Sequence, residues 1–466
     1  MKGPLACEKI SGSFRDPDGF LFTVDGVLYR QVNASCREDY GMLMASGLYE
    51  DLTAAGLMVP HEEAGIEGAD PAACYKVLRP ETIPFISYPY EWCFSQLKNA
   101  ALAVLEIQKR ALSFGMSLKD ASAYNMQFRN NRPVLIDTLS FEKYDECAPW
   151  AAYGQFCRHF LAPLALAAYK DIRLNQLLRA YIDGIPLDLA GSLLPASTKF
   201  KPSLMVHIHI HAGYQARFAK STVDTKGRSI SRHAFLALVE SLRSAVENLQ
   251  WRPASGGWSG YYEDNAYSAE ALREKERIVS AFLDKAGAGI VWDLGANTGR
   301  FSRIAAAKGR DTVSFDSDAA CVEKSYLECL KEENAKMLPL VMDLTNPSAG
   351  AGWENSERAS FMQRGPAATT LALALVHHLA IANNLPLQRI AEFFSRICGS
   401  LIIEFVPKDD PQAKRLLACR EDIFPHYSRE GFEAAFAGYF TTLETAPIKG
   451  TGRAIYLMSK INGSHG

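Results

Sequence analysis

The chain has 466 residues, of which 48% are hydrophobic and 22% charged. That balance excludes an intrinsically disordered or collagen-like polymer, and the length points to more than one hydrophobic core. With 50 basic and 52 acidic side chains the formal charge is −2, so no global positive field draws the chain to nucleic acid or to anionic lipid.

Apolar runs such as Leu161 to Ala168 and Leu371 to Val376 are much shorter than the roughly 20 residues a membrane-spanning helix needs. Met1 to Phe14 carries Lys2, Glu8 and Lys9 and lacks the apolar core of a secretory signal, which leads us to expect a cytoplasmic protein. Ten cysteines are scattered without a Cys-x-x-Cys pair and read as reduced, mostly buried thiols.

In chain order, Gly19 to Val24 and Val27 to Val32 flank Asp25-Gly26, a hairpin signal. Arg37 to Gly56 has helical spacing, Ala73 to Leu78 reads as a strand, and a long helix is expected from Trp92 to Phe114. Met126-Gln-Phe and Pro133-Val-Leu-Ile, joined by Arg129-Asn-Asn-Arg132, predict a second hairpin. Tyr153 to Tyr181 and His233 to Leu249 read as helical. Between them His207, His209 and His211 alternate. A strand would bring these imidazoles to one face, where a transition metal can bind, whereas a helix would separate them. No neighbouring Cys or carboxylate completes a ligand set, so the segment reads as polar packing, with no metal.

The Pro- and Gly-containing stretch Trp251 to Trp258 marks the main boundary, dividing the chain into domains 1–250 and 251–466. Beyond it, helices alternate with apolar runs at Ile290 to Trp292, Thr312 to Phe315, Leu338 to Met342, Thr370 to Leu375 and Ser400 to Phe405. This alternation predicts βα units and a mostly parallel sheet.

Ile290-Val-Trp-Asp293-Leu-Gly295-Ala-Asn297-Thr-Gly299 runs from a buried strand through a glycine-rich turn into a helix. Such a turn lets a ligand approach backbone closely. Its Asp-x-Gly-x-x-x-Gly spacing resembles motif I of the class I S-adenosylmethionine-dependent methyltransferases. The resemblance covers Trp258 to Lys460 and implies a Rossmann-like, seven-stranded, mostly parallel sheet with helices on both faces and a closing antiparallel hairpin near Glu444 to Met458. It also implies S-adenosylmethionine as cofactor, with Asp293 on its amino-acid portion, Gly295, Asn297 and Gly299 in the cradle, and Asp316, or else Asp318, on the ribose diol. Asp343 would meet the adenine amine, with Leu344 as apolar neighbour. His377 and His378 fall where the family places substrate or catalytic groups, and a histidine there suits a general base; Glu404 has similar standing. Trp258, Tyr262 and Tyr267 would close over the cofactor or pack a helix onto the sheet. The phrases Asp343-Leu-Thr-Asn-Pro and His377-His-Leu are similar to the nodulation-protein-like methyltransferases. Transfer from a sulfonium needs binding, in-line alignment and exclusion of water, and no metal. The acceptor is open, a small molecule being favoured.

In the N-terminal half, Asp120 and Asn125 are five residues apart and Asp137 follows at a strand end. This pattern resembles the catalytic loop and metal-binding strand of the protein-kinase-like superfamily, and implies an α+β, bilobal domain with a hinge at Ile86 to Trp92. There Asp120 would accept a proton, while Asn125 and Asp137 would hold Mg-ATP. The pattern also departs from the family. Asp137-Thr-Leu stands where Asp-Phe-Gly is expected, Lys119 precedes Asp120, and no glycine-rich phosphate loop is evident. The phosphate-pairing cation is Arg30 or Lys76. These departures favour a nucleotide-free, substrate-presenting module over an active phosphotransferase.

Overall fold

The computed structural model describes residues 7–146, 148–210, 231–253, 268–332, 336–418 and 421–461. His211 and the aromatic trio Trp258, Tyr262 and Tyr267 lie outside the described residues. Two compact units are present, one of Met1–Arg252 with Gly350–Ala359, the other of Pro253–Ala349 with Ser360–Gly466.

The first unit opens with five antiparallel strands, β1 (Cys7–Lys9), β2 (Gly19–Val24), β3 (Val27–Asn33), β4 (His61–Glu63) and β5 (Cys74–Pro80), in the order β1-β2-β3-β5-β4. Asp25 and Gly26 both take positive φ, as a two-residue hairpin turn requires. The single helix expected over Arg37 to Gly56 is two, Arg37–Ala45 and Leu48–Ala54, broken where Gly47 adopts φ +89°. They pack Tyr40 with Val32, Cys36, Leu78 and Leu139 in a small core.

The long helix spans Phe94–Ser113 and buries Leu97, Ala101, Val104, Leu105 and Ile107. After it come the short pairs β6 (Met116–Leu118) with β9 (Phe141–Lys143) and β7 (Met126–Arg129) with β8 (Arg132–Leu135). The β7–β8 turn uses Asn130 and Asn131, both at positive φ. The helical run from Tyr153 is interrupted, with a wide turn over Cys157–Leu161 before Ala162–Tyr169.

The second unit is a seven-stranded sheet of β10 (Val291–Leu294), β11 (Thr312–Asp316), β12 (Met337–Val341), β13 (Ala367–Ala372), β14 (Cys398–Phe405), β15 (Phe440–Pro447) and β16 (Ala454–Lys460). The order is β12-β11-β10-β13-β14-β16-β15, parallel from β12 through β14, with β16 antiparallel to both its neighbours. Because side chains alternate along a strand, Val291 faces the helices Ala269–Lys285 and Arg300–Ala307, in a core with Ile278, Phe282, Phe301, Leu371 and Ile455. Trp292 points the other way and meets Phe315 and Phe361. Both faces of the sheet are thus covered, and they require the near-continuous apolar runs seen in the sequence. Among the described residues no helix is long and apolar enough to cross a membrane. The described cysteines form no disulfide with one another, and Cys36, Cys93, Cys157, Cys321, Cys329 and Cys398 are buried.

Candidate functional site

The carboxyl ends of β10, β11, β12 and β13 surround a cavity of about 250 Å³, the position at which open α/β sheets take ligands. Asp293, Gly295, Asn297, Asp316, Asp343, Leu344 and His378 line it; Gly299, Asp318, His377 and Glu404 do not.

Asp293 is 2% exposed and its Oδ2 accepts from Ser302 Oγ at 2.6 Å. Burial pushes its carboxyl up to about 6, against the opposing hydrogen bond from Ser302 and the charge of Lys275. Gly295 has φ +75°, and a Cβ there would lie 3.2 Å from Leu375 Cδ1. Gly299, at φ +79°, serves packing instead. A Cβ there would stand 2.7 Å from Met337 Cε, so the glycine permits close approach of the helix Arg300–Ala307. The amides of the turn are internally engaged. Those of Gly295 and Ala296 donate to Phe315 O, Asn297 to Asp316 Oδ2, Thr298 to Asn297 Oδ1, and Gly299 to Ala296 O.

Asp316 accepts from the amides of Asn297 at 2.7 Å and Asp318 at 2.8 Å, and burial raises its pKa. A carboxylate offers about four lone-pair sites, so capacity for a diol remains. Asp318 instead caps the helix Ala319–Cys329, accepting from Ala320 N at 2.8 Å, which accounts for its absence from the cavity wall. Asp343, at the exposed rim, accepts from Thr345 N and Oγ1 at 2.8 and 2.7 Å.

On the β13 side, His378 lines the cavity and His377 lies behind it, fully buried, with ring centroids 4.2 Å apart. Burial holds both imidazoles below their ordinary pKa, His377 far below. Both are therefore neutral near pH 7, and neither ring nitrogen of His377 has a hydrogen-bond partner. Glu404 is fully buried beneath the cavity. Its Oε2 pairs with Lys275 Nζ at 2.6 Å and accepts from Ala374 N at 2.8 Å, and Arg453 approaches Oε1 at 3.4 Å. Asp410 takes the guanidinium of Arg453 at 2.7 and 2.8 Å.

Sequence reasoning missed Lys275, Arg453 and Ser302. For Lys275 a signal existed, since it occupies the buried register of its helix with Ala271, Ile278, Val279 and Phe282.

In the first unit the kinase-like residues converge. Asn125 Nδ2 donates to Ser140 Oγ at 3.3 Å, and Ser140 Oγ donates to Asp137 Oδ2 at 2.5 Å. Burial first, and then the neighbouring Asp137, raises the pKa of Asp120. Of the two candidate cations, Arg30 on β3 forms a buried ion pair with Asp137, while Lys76 pairs with Glu63 at the surface. Lys119 Nζ pairs with Asp18 at 2.5 Å. The wide helical turn Met205–Ile210 separates the described histidines: His207 bonds Tyr153 Oη and Ser241 Oγ, and His209 bonds Thr198 Oγ1. Among the described residues no group of three His, Cys, Asp or Glu side chains is placed to hold a metal ion.

The segment Gly350–Ala359 follows β12 in the chain yet is part of the first unit. Within it Glu357 pairs with Arg15 at 2.6 Å and Arg358 lies 4.5 Å over the Tyr124 ring.

No family model matches the chain. Solved structures with a likeness to it include the N-methyltransferase NodS of Bradyrhizobium japonicum WM9, at 9% identity and TM-score 0.31, covering 41% of this chain and 98% of that one. Magnesium protoporphyrin IX methyltransferase (ChlM) of Synechocystis PCC 6803 gives 15% and 0.32, over 44% and 93%. The bifunctional kinase-methyltransferase WbdD gives 15% and 0.29, over 44% and 43%. The sheet order of the second unit, with its antiparallel closing hairpin, is that of the class I methyltransferase fold. Over 460 residues the chain is 33% identical to the nodulation protein NoeA of Rhizobium meliloti (strain 1021), spanning 97% of this chain and 96% of that protein, and it belongs to the NoeA family of nodulation proteins.

Proposed function

We propose that the C-terminal unit is an S-adenosylmethionine-dependent methyltransferase acting on a small-molecule acceptor. The observation that carries this reading is the convergence of Asp293, Asp316 and Asp343 on one cavity at the switch point of the sheet, beside a glycine at positive φ. Asp293 would hold the ammonium of the cofactor's amino-acid portion, Asp316 the ribose diol, and Asp343 with Leu344 the adenine. The bound cofactor supplies an activated methyl group on sulfur. The chain's own work is to align the acceptor and exclude water, for which Leu373, Leu375 and Leu379 give an apolar wall. His378, neutral and facing the cavity, is the candidate to take the acceptor's proton. We assign His377 and Glu404 to support of that wall.

For the N-terminal unit we propose a substrate-presenting role without phosphotransfer. Asp137 already accepts from Arg30, Ser140 Oγ and Leu139 N, so its carboxylate is committed to protein partners where a nucleotide's metal would need it. Calorimetric titration of the full chain with S-adenosylmethionine and its demethylated product, against Mg-ATP in parallel, tests both parts. Micromolar binding of S-adenosylmethionine and its thioether product, with none of Mg-ATP, is expected. Binding of Mg-ATP alone would move the active site to Asp120, Asn125 and Asp137.

A further inference from the structure

Two guanidinium groups of the first unit meet at one buried histidine. Arg358, on the segment that returns from beyond β12, lies 4.5 Å over the Tyr124 ring, and Tyr124 stands edge-on to His159 with ring centroids 6.1 Å apart. Arg158 precedes His159 in the same wide turn, and both guanidiniums act electrostatically on that imidazole. His159 is 2% exposed, and burial first, then Arg158 and Arg358, hold its pKa down to about 3, so the ring is neutral. Its Nδ1, Arg158 Nε and Arg358 Nε are all buried without a hydrogen-bond partner.

The unit's own anions do not answer these charges. Glu357 is paired to Arg15 at 2.6 Å, and Arg358 Nη1 donates to the carbonyls of Gly12 at 3.3 Å and Glu357 at 3.0 Å. Asp183, whose charge reaches Tyr124, is exposed. Among the described residues neither Arg158 nor Arg358 forms an ion pair. Like charges held together with orphaned donors are costly unless an anion joins them. One guanidinium fork matches a planar carboxylate, whereas two cations from separate elements, with an imidazole N–H beside them, suit the three oxygens of a phosphoryl group. We infer that Arg158, His159 and Arg358 form a binding site for the phosphoryl group of a small molecule. Neither Asp137 nor Asn125 belongs to it. The inference rests on the substrate-presenting reading of this unit and names the charged group that such a unit would hold.

The test is calorimetric titration of the full chain with inorganic phosphate in metal-free buffer, with acetate as the competing oxyanion. Wild type should bind phosphate at about 1 mM or tighter and prefer it to acetate by at least about 10-fold. Arg158→Gln and Arg358→Gln should each weaken phosphate binding about 10-fold or more, the worth of a charge-assisted hydrogen bond. Arg173→Gln, which removes an 86% exposed cation, should leave it unchanged. No phosphate binding by wild type, acetate bound as tightly as phosphate, or unchanged affinity in both variants overturns the site. Arg158→Gln breaks no ion pair among the described residues and keeps the test readable should Arg358→Gln not fold. Binding of Mg-ATP that is lost in Asp137→Ala and kept in Arg158→Gln would instead overturn the substrate-presenting reading, with the phosphate titrations still deciding the site.

Discussion

Glu404 and Ala374 are joined by a 2.8 Å hydrogen bond in which the Ala374 amide donates to Oε2, and Ala374 holds φ +51°. A positive φ is costly for a residue with a Cβ, so a fully buried carboxylate pins the strained turn between β13 and the histidine pair. Glu404→Ala should strip Lys275 and Arg453 of their shared partner. Breaking a buried pair in this way costs about 3–5 kcal/mol, and denaturant unfolding monitored on the second unit checks it. Stability within about 0.5 kcal/mol of wild type would show that the pair is dispensable.

Gly295→Arg combines a positive φ with a side chain directed at Leu375 and the cavity. It should abolish binding of S-adenosylhomocysteine, a loss of at least about 100-fold, while circular dichroism stays that of a folded chain. Wild-type affinity in a folded variant would sink the placement of the cofactor over this turn.

Asp293 gives a pH signature. Burial raises its carboxyl to about 6 in the folded protein, so the proton is held more tightly there than in the unfolded chain. Its contribution to stability is therefore greatest below the ordinary Asp range and is lost as pH rises through 6. Ligand binding runs the other way, because an ammonium needs the carboxylate. Affinity for S-adenosylhomocysteine should weaken as pH falls through about 6, approaching tenfold per pH unit, and Asp293→Asn should remove the dependence. A flat profile in wild type between about pH 5 and 8 would contradict the role.

His377 carries two buried ring nitrogens without partners, a desolvation cost with no return. His377→Leu should leave stability unchanged or raise it by about 1 kcal/mol. His378→Ala should lower methyl transfer while leaving cofactor affinity near wild type. If instead His377→Leu abolishes turnover and His378→Ala does not, the inner histidine is the working one.

Glu357 and Arg358 lie far along the sequence yet belong to the first unit. A chain ending at Arg252 would therefore lack the partners of Arg15 and Tyr124. Arg358→Ala in the full chain should lower the Tm of that unit by about 2–4 °C, the worth of one cation–π contact in a domain of this size. Calorimetric scanning of both proteins resolves this, and an unaltered transition in the truncated chain would mean the segment adds nothing.

Local sequence alone determined most of the strands, the hairpin turns and the glycine-rich turn after β10. The apolar runs of β10 to β14, the Asp-Gly and Asn-Asn hairpins and the Asp293-to-Gly299 turn are written in contiguous residues, because backbone propensity and glycine geometry act over short range. Tertiary structure decided what each carboxylate and histidine does. Asp316 and Asp318 are two residues apart and equally acidic, but only packing shows that one faces the cavity while the other caps a helix. The choice of Arg30 over Lys76 as the partner of Asp137, the coupling of Lys275 to Glu404 across 129 residues, and the return of Gly350–Ala359 to the first unit were likewise not legible. The physical reason is the same in each case: burial and ion pairing depend on which distant segments share a core, and a side chain's chemistry is set by those neighbours, beyond the reach of spacing along the chain.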